Sequence, residues 1–220
     1  MSTFPNSPQL LKAGLILLDP DSGVTQRIIV LQYNPETLTR KLVVQAVGGE
    51  TGDRSQALRL KGPPVETISL DAFIDATDQL EFPDQNKTTT QNGIRPQLAT
   101  IETIIYPPSS HLQSNNQLAS FGTLEIVPMQ APLILLSLGR NFLAPVRMTD
   151  FSIVEEAFDP NLNPILAKVS LGFRVLSIDD LDFDSKSGSL FMVYQQNKER
   201  LASQSTAGTL GALGLSGGIP

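Results

Sequence analysis

Residues 165–176, ILAKVSLGFRVL, alternate along their length: Ala167, Val169, Leu171, Phe173 and Val175 fall on one side, and Lys168, Ser170 and Arg174 fall on the other. Successive side chains of an extended chain point to opposite faces, so a period of two predicts a strand with one packed face and one face for solvent or a neighbour. The stretch VETISLDAFID at 65–75 repeats the pattern, with Ile68, Leu70, Ala72 and Ile74 together. Strands of this kind set the fold class as mainly β with minor α, an antiparallel barrel or sandwich.

The rest of the chain supplies further strands. Residues 11–18 and 24–33 are β-favouring runs around the turn signal Asp19-Pro20-Asp21-Ser22-Gly23, which reads as a hairpin. Asn34-Pro35 ends the second run, because proline has no N–H for a ladder, and residues 39–47 give the next strand. APLILLSLGRNF reads as a strand ending in a Gly139-Arg140-Asn141 turn. Residues 143–157 form a long strand whose apolar parity slips between Met148 and Phe151, which predicts a bulge. FDPNLNP at 158–164 is the turn into the opening stretch.

Helices are fewer. Leu98, Ile101, Ile104 and Ile105 lie at helical spacing before Pro107-Pro108, which predicts one internal helix. From Leu190 a Phe191/Tyr194/Lys198/Leu201 stripe predicts a C-terminal helix. Residues 48–64, 75–97 and 106–123 read as polar loops, and 109–130 as irregular, with a short pairing around 124–127. The organisation expected is a β domain at 1–178, an acidic turn and helix at 179–203, and an uncharged Gly-rich tail at 204–220.

Composition removes several functions. The chain has 220 residues, 22 acidic and 16 basic, a net charge of −6 and 40% hydrophobic content. That balance, with no block of five like charges, argues against nucleic acid or an anionic membrane as main partner. Cysteine is absent, which excludes disulfides, thiolate metal sites and a thiol nucleophile. No run approaches 18 apolar residues and the first residues lack a charged n-region, so folding in the cytoplasm without membrane insertion is expected.

Catalytic and metal patterns fail on their own spacing. Gly214-Leu215-Ser216-Gly217-Gly218 matches G-x-S-x-G, yet no downstream acid or histidine follows it, and His111, the one histidine, lies far upstream. Asp180, Asp182 and Asp184 resemble a calcium loop, but Ser185 and Phe191 stand where that loop needs Gly and Glu, so a solvated acidic turn is the simpler reading. His111 has no ligand neighbours and is expected to be exposed. Glu155 and Glu156, adjacent on a strand, point apart and cannot work as a carboxylate pair. No phosphate-binding loop is present. The expectation is a non-enzyme without cofactor or metal, whose function lies in its surfaces. The alternative from another class is a calcium-dependent carbohydrate-binding or hydrolytic β domain using the three aspartates. The absence of Trp weakens it.

Three ordered segments, IVLQYNPETLTR, VETISLDAFIDATD and APLILLSLGRNFLAPVRMTDFSIVEEAFDPNLNPILAKVSLGFRVLS, resemble the tube-protein family of contractile injection systems, the phage-tail-like particles of bacteria. The likeness is to the baseplate members that adapt the inner tube. It implies a tube-type β fold, six copies to a ring, stacked between the spike-bearing hub and the tube, assembled in the bacterial cytoplasm into the particle. An ordinary tube layer or a cap-proximal level stays open. Better-known baseplate members end in a LysM module; this chain does not, which puts peptidoglycan binding in doubt. The candidate interface residues are Tyr33, Asn34, Pro35, Arg40, Arg140 and Asn141. For Tyr33 and Arg40 the alternative is a buried ring and a solvated cation.

Overall fold

The computed structural model describes residues 11–47, 58–120, 130–180, 186–206 and 208–213. Its strands are β1 (Gly14–Leu18), β2 (Thr25–Val30), β3 (Leu38–Val43), β4 (Val65–Asp75), β5 (Leu133–Ser137), β6 (Leu143–Phe158) and β7 (Pro164–Val175). They form one antiparallel sheet in the order β2-β1-β5-β6-β7-β4-β3. The mainly β reading therefore holds. The alternation that predicted β4 and β7 also fixes their pairing: Ile68 lies opposite Phe173, Leu70 opposite Leu171, Ala72 opposite Val169 and Ile74 opposite Ala167. On β6 the register shifts between Met148 and Asp150, within the stretch where the apolar parity slips, and Phe151 and Ile153 return to the same face opposite Leu171 and Val169.

The sheet is strongly curled. In a flat sheet of this order, five strand spacings of about 4.8 Å would separate β2 from β4 by roughly 24 Å. Instead Gln32, just beyond β2, hydrogen-bonds the backbone of Asp75 at the end of β4 through both its amide and its carbonyl, at 2.7 and 2.9 Å. Curling gathers apolar side chains of every strand into one core, with Leu15, Leu17, Ile29, Ile134, Leu136 and Val146 joining the β4–β7 residues and β3 adding only a half-buried Leu38. The ladder nevertheless stops at β2 and β3, which do not pair with each other. The complete closure expected of a ring subunit is thus not made by the chain's own described strands.

Two helices fill the concave face. α3 (Arg95–Glu102) contributes Ile94 at its cap with Leu98 and Ile101, and Ile104 just beyond it. α5 (Lys186–Ser203) contributes Phe191 and Tyr194. A smaller apolar cluster, Leu18, Leu133 and Leu135, lies on the opposite face of β1 and β5 with Leu176 and Leu190 packed on it.

The segment between β4 and β5 departs from expectation. Where the sequence predicts loops at 75–97 and 106–123, the chain forms α1 (Thr77–Leu80), α2 (Lys87–Asn92) and α4 (Ser109–Ser120), so among the described residues four helices stand where one is expected. α4 buries none of its residues, and a helix that packs no face carries no apolar stripe to read. α1 and α2 are too short to show a period. The pairing expected at 124–127 lies outside the described residues. Part of the 48–64 loop continues the β3–β4 hairpin: Ala46 bridges Leu60, and Val47 and Lys61 donate to Arg59 and Gln45.

One glycine carries the docking of α2 against the sheet. Gly93 has φ +59° and ψ −138°, a region open essentially to glycine, and a Cβ there would fall 2.1 Å from the Pro164 carbonyl oxygen. That same oxygen accepts from the Ile94 amide at 2.9 Å. Gly93→Ala is therefore expected to destabilise the protein by about 2 kcal/mol or more, read as a lowered urea midpoint at unchanged slope.

Candidate functional site

The strand period that builds β4 places Glu66 on the apolar face, in line with Ile68 and Leu70, and Glu66 is only 3% exposed. A carboxylate there needs partners, and two elements, β3 and α5, supply three. Arg40 on β3 donates through Nε to Oε1 at 2.7 Å, Lys198 on α5 donates to Oε2 at 2.8 Å, and the Tyr194 hydroxyl donates to Oε1 at 3.0 Å. Arg40 also reaches the Tyr194 oxygen at 3.2 Å and stacks over Phe142, whose ring meets Tyr194 edge-on with centroids 5.5 Å apart. Lys198 lies 4.0 Å from the centre of the Tyr194 ring.

Burial alone would raise the Glu66 pKa; the hydrogen bonds and charges of Lys198 and Arg40 outweigh it and hold the carboxyl below its ordinary value. Burial first, and then the Glu66 charge, push the Tyr194 phenol well above its ordinary range. The cluster fixes charge rather than offering a proton for transfer. It clamps α5 across β3, β4 and the β5–β6 turn.

The outward face of β4, β7 and β6 is mostly polar, with Phe73 and Val154 exposed beside Lys168. Ser170 donates to Asp71 at 2.6 Å, and Lys168 pairs with Asp71 at 2.8 Å. Thr39, Ser69, Ser152 and Gly172 complete a shallow open patch of small side chains. Among the described residues no three His, Asp or Glu are grouped to hold a metal ion. Asp180 is taken up by Arg174 at 2.7 Å and by the Ser177 amide and hydroxyl, while Asp182, Asp184 and the 214–218 motif lie outside the described residues. His111 is exposed on α4.

The candidate interface residues are spread over two regions. Asn34 is a staple: its Oδ1 accepts from the Ala13 amide and its Nδ2 donates to the Leu11 carbonyl, both at 2.9 Å, tying the exit of β2 to the entry of β1. Pro35 follows it half-buried, and Tyr33 is exposed beside it. Arg40 belongs to the Glu66 clamp, with a third of its side chain exposed. Asn141 accepts from Arg200 at 3.2 Å, so the β5–β6 turn is pinned to the last turn of α5, and Arg140 is exposed at its tip.

Sequence reasoning missed an exposed apolar set at one end of the sheet. Leu42, Val43 and Val44, at the end of β3 and just beyond it, and Leu58 and Leu60, on the segment bridged to it, are all exposed, Val44 66%, Leu60 68% and Leu58 97%; by the strand period Leu42 and Val44 share one face and Val43 takes the other. An open strand edge carrying such a patch is a docking surface or an aggregation hazard. The signal was present in LVV at 42–44, which breaks the polar alternation of its strand. The clamp had a signal too: Glu66 stands at a core position of an otherwise apolar face, and Tyr194 and Lys198 stand one helical turn apart.

Glu66→Gln removes the charge that both Arg40 and Lys198 answer. It is expected to destabilise the fold by about 3 kcal/mol, the low end for a broken buried pair because both cations keep some access to water. The folded pKa of Glu66 is depressed. Its contribution is therefore complete above the unfolded value near 4.5 and is lost as pH falls through the lower folded value. Chemical denaturation from pH 7 down to pH 3 checks both: the wild type loses this increment in the acid range, and the Gln variant lacks it at every pH.

No protein-family model and no curated protein matches the chain. Among solved structures, it is similar to a chain from the tail of an empty GTA particle computed with helical refinement and C6 symmetry. Identity is 12%, coverage is 74% of this chain and 90% of that one, and the TM-score is 0.27.

Proposed function

We propose that this protein is a structural, non-enzymatic subunit of a contractile injection particle, forming a ring that adapts the inner tube to the baseplate hub. The observation that carries the reading is an open β3 edge with exposed Val44, Leu58 and Leu60 beside it, on a sheet whose Glu66 cluster is spent on holding the fold. A monomer gains nothing from leaving Val44, Leu58 and Leu60 in water. A subunit that repeats by rotation needs one such patch facing a different surface of the next copy, a contact that closes into a ring. The resemblance of the three ordered segments supports the particle and the number six. No helix among the described residues is long and apolar enough to cross a membrane.

In this reading Arg140, Asn141 and Tyr33, at loop tips, contact the rings above and below, while the β3 patch joins neighbours within a ring. Val44→Asp with Leu60→Asp places two carboxylates in the patch without touching the core. Sedimentation velocity of the wild type should show association that rises with concentration. The double variant should weaken it by tenfold or more while keeping the wild-type melting curve. Unchanged association would remove the β3 patch from the contact.

A further inference from the structure

The outward face changes charge from one end of β4 to the other. Near its start Lys41 on β3 lies opposite Thr67 on β4, Thr67 opposite Arg174 on β7, and Arg174 opposite Arg147 on β6. Residues paired in this way share a face, so three cations stand in one row spanning three strand spacings, roughly 14 Å. Arg147 and Arg174 are direct cross-strand neighbours, an arrangement of like charges that costs stability when nothing answers it. Among the described residues only Arg174 of the three has an ion-pair partner, Asp180 at 2.7 Å, and its Nε is buried without a hydrogen bond. Lys41 and Arg147 are exposed.

The other end of β4 leads into an acidic segment. Past Asp75 the chain runs through three consecutive turns, closed by the amides of Gln79, Phe82 and Gln85 on the carbonyls of Ala76, Gln79 and Phe82 at 3.0, 3.2 and 3.1 Å. Asp78, Glu81 and Asp84 take the same place in each turn, and a repeat of three residues keeps them on one side of the segment. They line an edge roughly 9–12 Å long at the rise of helical turns. All three are exposed, and among the described residues no cation or donor meets their carboxylates. The edge cannot reach the basic row of its own chain. Thr67 and Asp75 are separated by roughly 26 Å of continuous strand, and the bonds from Ala76 to Ile165 and from Thr89 to Gln79 hold the segment at its end.

We propose that the basic row Lys41, Arg174 and Arg147 of one copy docks on the acidic edge Asp78, Glu81 and Asp84 of a second copy. The two arrays are opposite in sign and close in length, and lysine and arginine side chains are long enough to cover the difference. A chain of net charge −6 repels its copies in most orientations, so the orientation that brings row to edge is selected over the others. Each array also carries an apolar side chain: Val43, two residues along β3 from Lys41 on the same face, is 52% exposed, and Phe82, within the acidic segment, is 53% exposed. The contact joins unlike surfaces, so it is heterologous and repeats from copy to copy. It goes beyond the ring reading, since it uses the charged outward face and needs none of the exposed apolar side chains Val44, Leu58 and Leu60.

The test reverses the charges in the full-length chain. Lys41→Glu with Arg147→Glu turns the row acidic and leaves the Arg174–Asp180 pair in place. Asp78→Lys with Glu81→Lys turns the edge basic. By sedimentation velocity at low salt, each double variant alone should associate at least tenfold more weakly than wild type. An equimolar mixture of the two should recover association to within about threefold of wild type, because each reversed surface then meets its opposite, and wild-type association should weaken as salt rises from about 0.02 M to about 0.5 M. Circular dichroism checks folding. A reversed pair that unfolds is replaced by its neutral form, Lys41→Gln with Arg147→Gln or Asp78→Asn with Glu81→Gln, which should weaken association at least threefold. Wild-type association by either folded variant alone, a mixture as weak as its components, or a wild type indifferent to salt would overturn the proposal. The Val44→Asp, Leu60→Asp variant separates this from the ring reading. If it keeps the salt-sensitive association and forms no rings, the ring alone fails; if the charge-reversed variants form rings and associate as wild type does, the charge contact alone fails.

Discussion

A sheet with one apolar face must cover that face, and every other feature of this molecule follows from how the covering is done. Seven strands curl until the ends of β2 and β4 come within reach of one glutamine side chain, and α3 and α5 fill what the curl leaves open. Burying side chains such as Phe173, Leu171 and Val169 contributes on the order of 1.5–3 kcal/mol each, so this one face outweighs any polar contact on the surface. The Glu66 cluster is a consequence of the same demand. Placing α5 over the mouth of the curl brings a carboxylate, two cations and a phenol into one partly dry junction, where they hold the helix in a single orientation.

The incomplete closure has the opposite effect. Two strand edges remain, and natural β proteins usually protect such edges with charge, proline or a covering element. Here β2 carries Arg27 and β3 carries Arg40 and Lys41, while exposed Val30, Leu42 and Val43 stand at the ends of the same strands and Val44 just beyond. Exposed apolar side chains at a strand edge are costly for a free monomer, and in the proposed ring each would supply a directional contact.

What could be read from the sequence depended on how much of an element is buried on one side. β4, β7 and the slip in β6 were legible because alternation is a direct record of one packed face, and the hairpin of β1 and β2 was legible because Asp19 to Gly23 can hardly be anything but a turn. α4 was illegible because neither side of it packs, and α1 and α2 because four and six residues do not complete a pattern. The corner at Asn34-Pro35 was read correctly as a strand exit, while its role as a staple to Leu11 and Ala13 depends on contacts some twenty residues away. Arg40 stands in the sequence reading as a candidate contact residue beside the Asn34-Pro35 corner. Its partner is 26 positions distant, and only the Glu66 anomaly in the β4 pattern pointed to it.

The central claim is that this chain works by docking against copies of itself and its neighbours. Electron microscopy of the purified full-length protein over a range of concentrations tests it most directly. The account predicts rings of uniform diameter and rotational symmetry, with the β3 edge at the boundary between subunits. A protein that stays monomeric at every concentration, with both edges in solvent, would contradict it.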